Sequence, residues 1–425
     1  MITDLTYEID TSKRKTQGAK KEAIKSIFLS ALCVQFAAAA PRGSETDDSH
    51  GASFNKQPHR PLKIAFAGGG TGGHLFPGIA IAQEFMARNS ETRIIFIGTG
   101  NPLEKSILSK TDFELRTIRA TGIKGRGMWN QLISITKIPA GILAAMRILK
   151  NFSTDLVIGL GSYSAGPAVI GAWMLRIPIA VHEQNILPGI TNRILSRFSD
   201  RVYISFENTK SFKESRKIRW TGNPVRQEIL TCLAGLDGTN TEESDKGRFT
   251  VLIIGGSQGA HRINTTVIEA LELLKQKKSF YFIHQTGSAD EQVVRDAYRQ
   301  NGIDAKVQSF FDDMASQYRS ADIVICRAGA TTVAEITALG KAAVFIPFPH
   351  AADNHQMLNA ADLSKGGAAE IIVEENLSGK ILSEKINYYA DHTAVLKDMA
   401  SRAKSFGNPN AAVNIVDDCY RLVAA

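Results

Sequence analysis

Cysteine is scarce in this sequence and nowhere clustered. The four residues, Cys33, Cys232, Cys326 and Cys419, show no C-x-x-C spacing. That argues against a zinc site or a disulfide framework and suits a reducing compartment. Zinc-finger spacing, an RNP signature and a dense basic tract are also missing, which makes nucleic acid the least supported anionic partner. No Asp-x-Asp occurs, so the chain offers no obvious acidic motif for a divalent cation holding a diphosphate. The apolar run Ser26–Ala40 is shorter than the roughly 20 residues of a membrane-spanning helix.

What is present is an ordinary globular composition, 44% hydrophobic and 22% charged over 425 residues. That length suits two domains, at roughly 150 residues each. A net charge of +8 favours anionic partners, either a membrane surface or phosphorylated substrates.

Residues 1–60 differ from the rest. Lys13, Arg14, Lys15, Lys20, Lys21 and Lys25 precede the short apolar run, and Pro41 and a polar stretch follow. This is signal-peptide grammar. An export signal, a membrane-touching extension and a non-structural leader from an upstream start codon all fit it. The polar part, 42–60, has the composition of a disordered segment.

From Leu62 onward strands alternate with helical patterns. Apolar runs at Lys63–Ala67, Arg93–Ile97, Leu156–Ile158, Ile177–Val181 and Val202–Ile204 are separated by helical stretches such as Leu75–Arg88, Leu132–Leu149 and Ala165–Leu175. After Thr221-Gly-Asn-Pro-Val-Arg226 and a polar insertion, Gly235–Gly247, the pattern restarts. Further runs lie at Phe249–Ile254, Phe280–His284, Val307–Phe311, Ile323–Cys326 and Ala342–Ile346. The expected fold is α/β, with two Rossmann-like, doubly wound parallel sheets and a cleft between them. The expected divisions are an extension, 1–60; an N-terminal acceptor or membrane domain, 61–221; a C-terminal nucleotide-sugar domain, 222–407; and a last helix, 408–425, that packs back on the N-terminal domain.

The first strand runs into Gly68-Gly-Gly-Thr-Gly-Gly-His74. Gly68, Gly70 and Gly73 fit G-x-G-x-x-G, the dinucleotide fingerprint. That motif requires an acidic residue at the end of the second strand to hold a ribose. Here Gly98 and Thr99 follow the strand, and Glu104 lies beyond it. A nicotinamide or flavin enzyme is therefore disfavoured.

Further clusters follow predicted strands. Val181-His-Glu-Gln-Asn185 puts four polar side chains at a strand's carboxyl end, expected to face the cleft. Arg226 is suited to clamp a phosphate. Gly255-Gly-Ser-Gln-Gly-Ala-His261 forms a second glycine loop, expected to face the first. Arg327-Ala-Gly-Ala-Thr-Thr-Val-Ala-Glu335 forms a third, whose N–H groups suit a diphosphate and whose Glu335 suits ribose hydroxyls. Pro347-Phe-Pro-His-Ala-Ala-Asp-Asn-His-Gln356 is a proline-broken loop before a helix, Met357–Leu363. Singly, each has a bland reading as a tight turn, a cap or a core histidine. Their shared position after strands makes them one candidate site.

Taken in order, Gly69-Gly-Thr-Gly-Gly-His-Leu-Phe-Pro-Gly78, His182-Glu-Gln-Asn185, Gly222-Asn-Pro-Val-Arg226, Gly255-Gly-Ser-Gln-Gly259 and Arg327–Glu335 resemble the motifs of the MurG family, the UDP-N-acetylglucosamine transferases of peptidoglycan synthesis. The resemblance covers about Leu62 to the C-terminus. It implies a GT-B fold. It also implies inverting transfer of N-acetylglucosamine from UDP to the 4-hydroxyl of N-acetylmuramoyl-pentapeptide on undecaprenyl diphosphate. Carried over by motif, Ser257 and the helix start Ala330, Thr331, Thr332, Val333 and Ala334 hold the donor diphosphate. Phe311 offers backbone to the uracil and Glu335 binds the ribose. Gln356 and Asn185 contact the sugar, and Arg226 the diphosphate region. Thr71, Gly72 and Gly73 line the acceptor side. His74 is the first candidate for the general base and Glu183 the second, although His74 could instead orient the loop. No metal and no cofactor are implied, UDP-N-acetylglucosamine being a substrate.

The implied partners are the lipid acceptor, an anionic membrane surface and other cell-wall synthesis proteins, at the cytoplasmic face of the inner membrane. Such a location would conflict with export by residues 1–40. Lys124, Arg126 and Lys137 with Trp129, Leu132, Ile133 and Ile138 have the composition of an interfacial patch, or of a helix covering the sheet. A diacylglycerol glycosyltransferase and a non-catalytic UDP-sugar binder are the alternatives.

Overall fold

Two parallel sheets organise the chain. The first contains β1 (Lys63–Ala67), β2 (Arg93–Gly98), β3 (Glu114–Thr117), β4 (Leu156–Gly159), β5 (Ile179–Glu183), β6 (Arg201–Ile204) and β7 (Ile218–Trp220), in the order β3-β2-β1-β4-β5-β6-β7. The second contains β8 (Phe249–Ile254), β9 (Phe280–Gln285), β10 (Asp304–Gln308), β11 (Ile323–Cys326), β12 (Ala343–Phe345) and β13 (Glu370–Ile371), in the order β10-β9-β8-β11-β12-β13. Neighbouring strands are parallel throughout. The structure, a computed structural model, describes residues 60–118, 128–209, 212, 215–234, 247–256 and 259–424, with backbone alone at 128–138, 215 and 232–234. The N-terminal extension to residue 59, the insertion 235–246, Ser257 and the side chains of the basic-aromatic segment 124–138 lie outside the described residues.

The helices of the first half are α1 (Gly72–Arg88), α2 (Pro102–Leu108), α3 (Met128–Phe152), α4 (Ala165–Met174) and α5 (Ile190–Leu195). Those of the second are α6 (Gln227–Ala234), α7 (His261–Leu273), α8 (Glu291–Gln300), α9 (Met314–Ser320), α10 (Ala330–Leu339), α11 (His355–Lys365), α12 (Gly379–Asp391), α13 (Thr393–Ser405) and α14 (Ala411–Ala424). Side-chain alternation puts both faces of each sheet in a core. In β1, Ile64 and Phe66 join one apolar cluster, Ala65 and Ala67 the other. In β8, Val251 and Ile253 pack on one side, Leu252 and Ile254 on the other. Burial on both faces explains why these strands read as unbroken apolar runs.

The edge strands were not legible that way. β3 is Glu-Leu-Arg-Thr and mostly exposed, β7 has three residues and β13 two. The run at 307–311 is shifted too: β10 covers Asp304–Gln308, and Phe311 lies beyond it. Helix α1 begins at Gly72 rather than at the first apolar position, because Thr71 at its N-cap is the last extended residue (φ −139°, ψ 158°).

Register is set by a repeated device. Asp155, just before β4, accepts the Lys63 N–H at the start of β1 (2.8 Å). Asp200 does the same for Ile179 of β5 (2.9 Å), and Asp322 for Thr250 of β8 (2.7 Å). Each carboxylate satisfies a backbone donor at the first or second residue of the neighbouring strand.

The chain crosses between the halves twice. At the first crossing Gly222 has φ +83°, and a Cβ there would stand 2.7 Å from Cβ of Asn408, which belongs to the second. After Asn408, α14 lies against α1. Ile415, Val416 and Cys419 enter the core of the first sheet, Arg88 pairs with Asp417 (2.9 Å), and Tyr203 donates to Asp418 (3.0 Å).

Candidate active site

In each sheet the strand order reverses beside its central strand, between β1 and β4 and between β8 and β11. Loops leaving the carboxyl ends there diverge and open a crevice. At the first reversal Gly68 takes φ +116°, and a Cβ would come within 2.3 Å of the Gly161 carbonyl. Only glycine lets the two loops approach so closely. Below the loop, Glu104 accepts from Gly100 N (2.6 Å) and Asn101 N (3.2 Å). The carboxylate that follows β2 thus serves the turn itself.

Thr71 supplies no side-chain cap to α1, and the first turn has no acidic residue. The same holds for α10, where the N-cap is Gly329. Both helices thus keep the positive ends of their dipoles uncompensated, a setting for anions. The two ends meet: Thr331 Oγ1 on α10 donates to the Gly73 carbonyl on α1 at 3.2 Å. The expected partner of the first glycine loop was the Gly255 loop. Among the described residues, the start of α10 touches the first loop through Thr331, while Ser257 and Gln258 of the Gly255 loop lie outside them. Val333 and Ala334 of this turn pack into the core, so backbone rather than side chain is what they offer a ligand.

His74 stands at the junction. Its Nδ1 lies 2.9 Å from Oε1 of Gln184. Burial lowers its pKa from the usual histidine value. Bonds to Gln184 and the Leu160 carbonyl pull the pKa back up, and His355, from α11, pushes it down. The ring is therefore neutral near pH 7 and can accept a proton.

The cluster 182–185 is not what its sequence suggests. His182, Glu183 and Gln184 are buried rather than facing the cleft; Asn185 alone is partly exposed. The reason is that β5 is an interior strand, between β4 and β6, and runs through Glu183 with every residue buried. Burial holds the His182 pKa down to about 3. Glu183 accepts from Asn185 N (3.0 Å), Gly189 N (3.1 Å) and Asn192 Nδ2 (2.9 Å). Burial raises its pKa, and these bonds oppose the rise. Its oxygens are occupied in holding the turn that starts α5.

On the other side, Arg226 Nη2 lies 3.2 Å from Oε1 of Glu335. Its guanidinium stacks on Phe76 of α1, 4.2 Å from the ring centroid. Glu335 also accepts from the Tyr318 hydroxyl (2.9 Å). Phe311 N–H donates to the Gln285 side chain (3.0 Å), whose amide reaches the Gly256 carbonyl (3.3 Å). Gln356 Oε1 accepts from Phe348 N (2.9 Å). Asn185 Oδ1 accepts from Asn359 Nδ2 (3.2 Å), and Asn359 Oδ1 accepts from Ile186 N (3.1 Å). Asn359, Gln285, Tyr318 and Phe76 were not singled out from sequence. A polar residue closing an apolar strand marks Gln285, but the others lie inside ordinary helical patterns. Among the described residues no group of three or more His, Cys, Asp or Glu is placed to hold a metal ion.

Residues 64–204 match the glycosyltransferase family 28 N-terminal domain, and residues 250–415 match the family 28 C-terminal domain. A curated relative from Syntrophus aciditrophicus, named UDP-N-acetylglucosamine--N-acetylmuramyl-(pentapeptide) pyrophosphoryl-undecaprenol N-acetylglucosamine transferase, is 44% identical over 363 residues, 85% of this chain and 99% of the relative. The chain belongs to the MurG family. The crystal structure of Acinetobacter baumannii MurG is 31% identical, with a TM-score of 0.66 over 85% of this chain and 100% of that one. A UDP-GlcNAc 2-epimerase from Neisseria meningitidis has a TM-score of 0.62 over 85% of this chain and 100% of that one, at 16% identity. That likeness is one of fold, so within this architecture MurG membership rests on sequence, and chemistry must be argued from the site.

Proposed function

We infer that this chain is a glycosyltransferase that moves N-acetylglucosamine from UDP-N-acetylglucosamine to the 4-hydroxyl of undecaprenyl-diphospho-N-acetylmuramoyl-pentapeptide, in peptidoglycan synthesis. The observation that carries the reading is the meeting of two uncapped helix ends at Thr331 and Gly73, with neutral His74 beside them. Donor and acceptor each bring a diphosphate, and each helix end suits one.

In the reaction His74 takes the proton of the acceptor hydroxyl as that oxygen attacks the anomeric carbon. The bond from that carbon to the β-phosphate oxygen breaks, and UDP leaves with the electron pair. A single displacement inverts the α-linkage to β. Charge on the leaving diphosphate is met by the N–H groups at Ala330, Thr331 and Thr332, by Ser257 and by Arg226. Glu335 holds the ribose, Phe311 backbone the uracil, and Asn185 and Gln356 the sugar. Thr71, Gly72 and Gly73 carry the acceptor diphosphate. Glu183 serves as scaffold, since its oxygens already accept three donors. The reaction so written calls for no cofactor.

A lipid acceptor requires docking at a membrane, on the cytoplasmic side where UDP-sugars are made. Among the described residues no helix is long and apolar enough to cross one. We assign the docking to the segment of Lys124, Arg126, Trp129 and Lys137, on composition. Charge reversal at the three basic positions then weakens flotation with anionic vesicles, and unchanged flotation rejects the assignment.

Transfer of radiolabelled sugar from UDP-N-acetylglucosamine to a short-chain analogue of the muramoyl acceptor tests the whole reading. Transfer to diacylglycerol instead, or UDP binding without transfer, would replace it with one of the two alternatives.

A further inference from the structure

The side chain of Gln184 connects three groups whose proton inventories are not independent. It lies 2.9 Å through Nε2 from the Leu160 carbonyl, 3.1 Å through Nε2 from His182 Nδ1, and 2.9 Å through Oε1 from His74 Nδ1. A carbonyl oxygen only accepts, so the group facing Leu160 is the NH2. The oxygen of the amide then faces His74, and the ring nitrogen opposite it must carry a hydrogen. The second NH2 hydrogen is nearer His182 Nδ1 (3.1 Å) than the His182 carbonyl (3.4 Å), and an NH2 does not accept, so Nδ1 presents its lone pair. The His182 proton is accordingly on Nε2, which faces Ser205 Oγ (3.4 Å); the Gly222 carbonyl also bonds this ring. The amide hydrogens of Gln184 and the Nδ1 hydrogen of His74 are then consistently placed.

We propose that Gln184 is a positioning residue that fixes the His74 proton on Nδ1, leaving the lone pair on Nε2 at the opposite edge of the ring. Histidine tautomers are set by the bond the other nitrogen makes. Here that bond comes from a buried amide whose own orientation is fixed from two further sides. The titratable groups acting on His74 are His182, on the same side as Gln184, and His355 across the cleft. Neither is an anion; the Leu160 carbonyl also acts on the ring, and the Gln184 oxygen, 2.9 Å from Nδ1, is its side-chain acceptor. For catalysis the inference rests on the reading of His74 as general base; for the tautomer it does not.

The test uses the full chain labelled with 15N-histidine. Long-range proton–nitrogen correlation spectra, with His74 assigned by its loss in His74→Asn, should show a protonated Nδ1 and an unprotonated Nε2. A protonated Nε2 in the wild type overturns the proposal. Gln184→Leu removes the acceptor. It should convert His74 wholly or partly to the Nε2–H form and lower kcat by about 10- to 100-fold, less than the full worth of a general base, with KM for UDP-N-acetylglucosamine within about 3-fold. A fall in kcat with the tautomer unchanged overturns the proposal. A changed tautomer with kcat intact supports the role of Gln184 in ordering the ring and instead removes His74 as base. Should Gln184→Leu fail to fold, Gln184→Glu sets an anion against Nδ1. The acid limb of the kcat profile should then move to higher pH, and an unmoved limb counts against the proposal.

Discussion

Arg226 and Glu335, both assigned to the donor, are bonded to each other at 3.2 Å and come from opposite sides of β8 in sequence. The pair is largely buried, and the same Arg226 lies over Phe76 of the first half. Donor binding, as assigned above, must exchange this contact for one with ribose and diphosphate. Glu335→Gln keeps an acceptor for Tyr318 but removes the charge opposite Arg226. We expect KM for UDP-N-acetylglucosamine to rise about 10-fold or more, with KM for the acceptor nearly constant. Stability should fall, by about 1–3 kcal/mol once part of the loss is offset by the amide. Initial-rate kinetics in both substrates and a urea titration read the two effects.

His74 and Glu183 separate cleanly by experiment. His74→Ala should cost kcat about 100- to 10,000-fold, the range of a lost general base. Glu183→Gln should instead reduce stability through lost bonds to Asn185, Gly189 and Asn192, with kcat less affected. If Glu183→Gln abolished kcat in a protein of unchanged melting temperature, the roles would be reversed.

The pH profile gives a further check. A base acts in its unprotonated form, and burial lowers the His74 pKa. Activity should persist as pH falls through 6.5, the usual histidine value, and fail only below it. An acid limb in kcat above 6.5 would contradict the environment described for the ring.

Acid should unfold the protein for a related reason. His182 and His284 are buried with pKa values near 3 in the folded state. Unfolded, each binds a proton below about 6.5. Above that pH neither state is protonated and the two histidines add no pH dependence. Between 6.5 and 3 the unfolded state binds more protons, so stability declines as pH falls, by roughly 2 kcal/mol per histidine at pH 5. Urea midpoints at pH 7 and pH 5 should show the decline, and His284→Gln should shrink it.

The last helix is testable by removal. Ile415, Val416 and Cys419 are buried against the first sheet. At about 1.5–3 kcal/mol each for Ile415 and Val416, and with the Arg88–Asp417 and Tyr203–Asp418 bonds lost as well, truncation after Asn408 would forfeit a large part of the stability of a domain. The truncated chain should be insoluble or lose a cooperative melting transition. A soluble product with unchanged melting would show that α14 is dispensable.

Much was legible along the chain because parallel strands covered on both faces must be continuously apolar. That rule exposed β1, β2, β4, β8 and β11 and placed every glycine loop at a strand's carboxyl end. It failed for β3 and β7, which lie at an edge and need no apolar run. It also misread 182–185, since polar residues ending an apolar run look the same whether they open on a cleft or lie inside the fold.

The order of strands and loops, the absence of a ribose-binding acid after β2 and the family motifs are properties of the linear sequence. They depend on local backbone demands: burial on both faces, glycine at positive φ, helix starts after loops. Which residues finally meet is another matter. That Thr331 reaches Gly73, that Arg226 finds Glu335 and Phe76, that Asn359 ties down Asn185, and that Gln184 orders His74 depend on contacts between segments scores of residues apart. No periodicity encodes such pairs. They follow from loops and helix ends of the two halves that meet in space and from a chain that crosses between the halves twice, so only the tertiary structure decided them.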